Sequence, residues 1–143
     1  MRLLIVSDTL KQRRSIEKVA IELGFQQDNL IVPRSWDEAV DLQFTKEPFH
    51  LAVVDICLWG RFNGGVDYIR LLSEEHPECF AIALTERRGD DVGVHAMRAG
   101  ACAFINANRA PEAWELTLKR KLTMCQNLVT ERAEKDAARA AKT

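Results

Sequence analysis

The feature that most constrains this chain is a fivefold alternation of short apolar runs with helix-patterned segments across 143 residues. The apolar runs lie at 3–6, 30–32, 51–55, 80–84 and 103–105. Each is strand length rather than helix length. The stretch from Leu51 to Leu58 shows no polar alternation before Asp55, as expected of a parallel strand covered on both faces. Between the runs, helices are predicted over 10–23, 36–44 and 66–75, from Asp90-Asp91 to Gly100, and from Pro111 onward. Gly24 and Gly100 stand where a helix stops. Ser35 with Glu38 forms a capping-box pattern, and Pro111 suits a first helical position. Such βα alternation predicts an α/β fold with a doubly wound five-stranded parallel sheet and helices on both faces. Right-handed crossovers restrict its topology.

Composition narrows the function classes. The length suits one domain, and the formal net charge of -1 gives no case for nucleic acid or an anionic membrane as partner. Cys57, Cys79, Cys102 and Cys125 form no C-x-x-C pair, which argues against zinc and a disulfide framework and fits the cytoplasm. No apolar run approaches the length of a membrane span. Neither a Gly-rich dinucleotide fingerprint nor a G-K-[ST] phosphate loop is present, so nucleotide binding loses weight.

In open α/β sheets, chemistry collects at the carboxyl ends of the strands. There the chain places Ser7 and Asp8, Asp55, Thr85, then Asn106 and Ala107. Two carboxylates and a backbone carbonyl suit Mg²⁺, a hard cation that keeps several waters. A carboxylate can also act as a nucleophile toward phosphorus. Gly64 and Gly65 are expected to form a flexible loop after Asp55, before a helix from Val66.

In this order and spacing, Val6-Ser7-Asp8, Val53-Val54-Asp55-Ile56, Ala83-Leu84-Thr85 and Ala99-Gly100-Ala101 followed by Phe104-Ile105 resemble the receiver domains of two-component response regulators. The resemblance covers about residues 2–125. It implies a flavodoxin-like sheet of strand order 2-1-3-4-5 and a role in phosphorelay signal transduction rather than as an enzyme. Asp55 would be the phosphoacceptor, served by a histidine kinase or phosphotransfer protein. Asp8, Asp55 and the Cys57 backbone carbonyl would hold Mg²⁺. Thr85 and Phe104 would be the switch residues.

The chain departs from the family's pattern at several positions. Ser7 stands where an acid is usual, Ala107 where a lysine is, Asn108 where a proline is, and Glu86 where a small residue follows the hydroxyl. Trp59 replaces a proline, and the loop through Asn63-Gly64-Gly65 looks about two residues longer. Losing one acid and one lysine cancels in formal charge, so the attraction for a cation survives. The positioned cationic donor for phosphoryl oxygens is lost, because a methyl group cannot replace an ammonium. Arg87, Arg88 and Arg109 are candidate substitutes. The alternative function is a pseudo-receiver, a protein-interaction module that works without phosphorylation.

From Glu112 to about Ala141 the chain lacks Pro and Gly and is expected to be helical, with Trp114, Leu118, Leu122, Cys125 and Val129 on one stripe. The expected division is a receiver-like domain over 1–127 and a helical extension or linker over 128–143. A homodimer through this last helix is a possible use for it.

Overall fold

The computed structural model describes residues 1–87 and 91–142. Arg88 and Asp90 lie outside the described residues. The elements run β1 (Leu3–Val6), α1 (Leu10–Glu22), β2 (Leu30–Ile31), α2 (Trp36–Leu42), β3 (Leu51–Asp55), α3 (Gly64–Glu75), β4 (Phe80–Thr85), α4 (Val92–Ala99), β5 (Ala103–Asn106) and α5 (Pro111–Ala141). The strands form one five-stranded sheet in the order β2-β1-β3-β4-β5, with every pairing parallel.

Side chains alternate across a strand, and the core divides accordingly. Leu4, Val6, Ala52, Val54, Ala81 and Ala83 meet Ala39 of α2, Tyr68, Ile69 and Leu72 of α3, and Ala96 of α4. Leu3, Ile5, Leu51, Val53, Ile82 and Leu84 meet Ile16, Val19 and Ala20 of α1 and Trp114, Leu118 and Leu122 of α5. All five side chains of β3 are buried. Each fully buried aliphatic side chain of this kind contributes about 1.5–3 kcal/mol against its exposed state. Strand β3, paired on both edges and covered on both faces, carries Asp55 at its end.

Several helix limits differ from the sequence pattern for identifiable reasons. The α2 helix ends at Leu42 rather than Phe44. Gln43 is buried there and is claimed by tertiary partners: its Nε2 donates to the Tyr68 carbonyl, and its carbonyl meets His76 Nε2 at 2.9 Å. The α3 helix starts at Gly64, so the two glycines belong to a helix and not to a flexible loop. The Gly65 N–H donates to the Ile56 carbonyl at 2.7 Å. A Cβ on Gly65 would overlap the Asp55 carbonyl oxygen and lie 2.6 Å from Ile56 Cα. Glycine is required here for close backbone approach. Gly100, with φ 124°, ends α4 in a conformation that favours glycine.

The α5 helix is unbroken over 31 residues, about 45 Å at 1.5 Å per residue. Its stripe is buried through Cys125, and Val129 packs on the same layer. Arg132 makes the last anchor, donating to the Glu78 carbonyl at 2.8 Å with its guanidinium 4.6 Å from the Phe80 ring centre. Residues 133–142 are exposed. No helix among the described residues is long and apolar enough to cross a membrane.

The Gly65→Ala variant should lose about 1–3 kcal/mol of unfolding free energy, the usual range for forcing atoms into a packed site. Urea denaturation would measure it. Unchanged stability would show that α3 can slide away from Asp55.

Candidate functional site

The carboxyl ends of β1, β3 and β4 enclose a pocket of about 430 Å³ whose lining includes Asp8, Asp55, Cys57, Thr85, Glu86 and Arg87. Asp55 is only 5% exposed. Its Oδ2 accepts the Ser7 hydroxyl at 2.5 Å, within the range of a charge-assisted O–H···O⁻ bond. Its Oδ1 is buried without a hydrogen-bond partner. Burial pushes the Asp55 carboxyl up from 3.8 to about 7; the Ser7 hydrogen bond opposes this, while Asp8 and Glu86 add to it. Ser7 is thus the hydroxyl donor to the buried carboxylate.

Asp8 is exposed, and its Oδ2 accepts the Trp59 backbone N–H at 2.7 Å. That contact holds the loop after Asp55. Leu58 and Arg61 exchange backbone hydrogen bonds of 3.1 and 2.8 Å around Trp59 and Gly60, whose φ values are 45° and 79°. Two positive φ values are what a two-residue I′-type turn demands, and a tryptophan there is strained. The loop is folded and pinned, with Arg61 stacked 4.5 Å over Trp36.

The facing side is built on the end of β4, and β5 pairs beside it without lining the pocket. Thr85 is buried, and its Oγ1 accepts the Arg87 N–H at 3.1 Å. The Ala107 N–H donates to the Thr85 carbonyl at 2.6 Å. Ala107 is itself buried and presents a methyl group. The Asn108 N–H donates to Asn106 Oδ1 at 2.8 Å, a local turn contact. Glu86 is exposed and accepts the amide of Gln12 at 2.9 Å.

Of the three candidate arginines, Arg87 lines the pocket, whereas Arg109 is exposed and outside its lining. Arg87 donates to the Phe62 carbonyl at 2.7 Å and Asn63 Oδ1 at 2.9 Å, with its guanidinium 3.8 Å from the Phe62 ring centre. It ties the loop after β4 to the loop after β3. Gln12 was missed in the sequence, although it carries a signal. It lies four residues before Ile16 on the buried stripe of α1, where a polar side chain needs a partner.

Phe104 is half-buried on β5, away from the pocket. A Cβ on Gly93 would lie 3.0 Å from its ring. It lines an apolar groove with Val94, Met97 and Lys121. The oxygen donors of Asp55, Asp8 and the Cys57 carbonyl fit a hard divalent cation, and the unpartnered Asp55 Oδ1 is where such charge is needed. Among the described residues no group of three His, Cys, Asp or Glu side chains could hold a metal, so water would complete the shell.

The Asp55 shift has a definite sign in stability. The folded chain keeps the Asp55 proton up to about pH 7, whereas the unfolded chain releases it near 3.8. The unfolded state therefore binds fewer protons in that window, and stability falls as pH rises through it. The loss is on the order of 1.4 kcal/mol per pKa unit. Denaturation between pH 4 and 8 without divalent cations should show this slope, and Asp55→Asn should flatten it and be the more stable protein at pH 8.

No protein-family model and no curated protein matches this sequence. Solved structures do. A response regulator receiver protein from Pseudoalteromonas atlantica superposes with a TM-score of 0.74 at 16% identity, over 89% of this chain and 98% of that chain. A CheY-like receiver domain protein from Methanospirillum hungatei JF-1 gives 0.68 at 23% identity, over 88% and 96%. A response regulator from Burkholderia pseudomallei, solved with a phosphorylated aspartic acid, a calcium ion and citrate, gives 0.67 at 20% identity, over 96% and 74%. The chain has the fold of response regulator receiver domains.

Proposed function

We propose that this chain is a receiver-type domain in phosphorelay signal transduction whose phosphoacceptor is Asp55. The supporting observation is a buried carboxylate at a strand end, lining an open pocket, with one oxygen unpartnered and the Thr85 hydroxyl on the neighbouring strand. A carboxylate oxygen of Asp55 would attack the phosphorus of a phosphohistidine on a histidine kinase or phosphotransfer protein. The P–N bond breaks, and the imidazole leaves with a proton. Thr85 accepts from the Arg87 N–H, so its own proton remains to donate to a phosphoryl oxygen.

Mg²⁺ fits the reading, held by Asp8, Asp55 and the Cys57 carbonyl. Bound there, it would supply the positive charge that lowers the Asp55 pKa and neutralises phosphoryl oxygens. The calcium ion and phosphorylated aspartic acid of the Burkholderia protein, and the BeF3 activation of the DrrB receiver domain, support a divalent cation and a phosphoryl group as ligands in this reading. The protein acts in the cytoplasm in this reading.

The second reading, a phosphorylation-independent pseudo-receiver, is favoured by Ala107. With only a methyl group at the end of β5, the pocket lacks one cationic donor. Losing one oxyanion-type donor costs about 2.7–4 kcal/mol of transition-state stabilisation. Arg87 is the residue best placed to offset that loss, but it is engaged with Phe62 and Asn63.

Acetyl phosphate with Mg²⁺ should label Asp55 slowly, and Ala107→Lys, with or without Glu86→Ala, should speed labelling by about two to three powers of ten. Intact mass spectrometry with Asp55→Asn as control would read it. No label in any of these proteins, and no binding of beryllofluoride with Mg²⁺, would favour the pseudo-receiver.

The stripe expected to pair with a second copy, Leu118, Leu122, Cys125 and Val129, is instead packed on this chain's own core, so a dimer through α5 would have to use the exposed Leu116, Met124 and Leu128. Light scattering should give the full chain a larger mass than expected of a monomer, and a truncation after Asn127 the monomer mass. Two monomers would remove α5 as a dimer element.

A further inference from the structure

Cys102 and Cys125 take no part in the pocket. Cys102 immediately precedes β5 and Cys125 sits midway along α5, yet their sulfurs are 3.6 Å apart. A disulfide needs about 2.05 Å, so the fold already holds the two sulfurs in van der Waals contact, within reach of a bond.

The two thiols differ in the ways a reactive pair requires. Cys102 is half-buried and lines the apolar groove beside Phe104, with Lys121 on the same groove. Reagents can reach it there. Cys125 is fully buried behind it. The sulfur–sulfur hydrogen bond, in which either thiol can donate, lowers the Cys102 pKa, and the Lys121 ammonium adds to this. The same contact, with burial, pushes Cys125 up. Cys79 is half-buried, and burial pushes it up to about 12. An accessible thiol of lowered pKa beside a resolving thiol is the arrangement of redox-sensitive cysteines.

We propose that Cys102 and Cys125 form a peroxide-sensing dithiol that closes to an intramolecular disulfide. The Cys102 thiolate attacks one oxygen of a hydroperoxide. The O–O bond breaks, an alcohol or water leaves, and Cys102 becomes a sulfenic acid. The Cys125 sulfur then attacks the Cys102 sulfur, its proton leaves with the hydroxide as water, and the S–S bond forms. Two thiols are oxidised by two electrons and one peroxide is reduced. A cellular dithiol would reverse the step by exchange. The bond would fasten α5 to β5 beside the Phe104 groove, whatever Asp55 does.

The test uses the full chain treated with hydrogen peroxide at pH 7.5, then alkylated and mapped by mass spectrometry without reduction. The expected result is a monomer lighter by two hydrogens, with the Cys102 and Cys125 peptides joined and the link removed by dithiothreitol. In Cys125→Ser, a sulfenic acid on Cys102 should accumulate and be trapped by dimedone. In Cys102→Ser, the linked species should disappear. Because the unaltered chain carries the first measurement, a folding defect in either variant does not blunt it. Oxidation confined to exposed Cys57, a link to Cys79, or links only between molecules would overturn the proposal.

Discussion

The site depends on how a parallel strand buried on both faces must end. Strand β3 is held by β1 and β4 at its edges and by helices above and below. That packing fixes Asp55 at the carboxyl edge and also removes water from it. The carboxylate keeps a single side-chain hydrogen bond, from Ser7, and one oxygen stays unpartnered. A buried charge with so little compensation is costly, and the group answers by holding its proton toward neutral pH. Gly65 is part of the same constraint, because α3 can pack behind Asp55 only without a side chain there.

Around that carboxylate two further acids gather. Asp8 is directed to the Trp59 N–H, and Glu86 to the Gln12 amide. Both acids are thereby fixed near Asp55, and both raise its pKa. Ala107 adds no counter-charge from β5. The guanidinium of Arg87 is nearby, but Phe62 and Asn63 hold it. The acids that remain still attract an added cation. In the proposed function, affinity for a cation and speed of phosphoryl transfer are separate properties, and Ala107 bears on the second.

Most of the architecture was legible in the sequence because it follows from periodicity. Runs without alternation, helix stripes and the stops at Gly24 and Gly100 fixed the elements. Sheet order came from the family resemblance. Asp8, Asp55 and Thr85 meet at one pocket because they end adjacent strands. Tertiary partners escaped the pattern. Gln43 ends α2 through contacts with residues far along the chain, and Gly64-Gly65 read as a loop because close backbone approach leaves no local trace. The spacing that told against zinc also gave no hint that Cys102 and Cys125 meet, since they are 23 residues apart and come together only when α5 docks beneath β5.

The central claim is that Asp55 is a buried carboxylate whose ionisation is left for a bound cation to complete. The most direct measurement is its own titration, followed by the ¹³C chemical shift of the Asp55 carboxyl with and without Mg²⁺. Without the cation the midpoint should lie near 7, and saturating Mg²⁺ should move it well down, as a neighbouring positive charge does. A midpoint near the ordinary 3.8 that ignores Mg²⁺ would contradict the account.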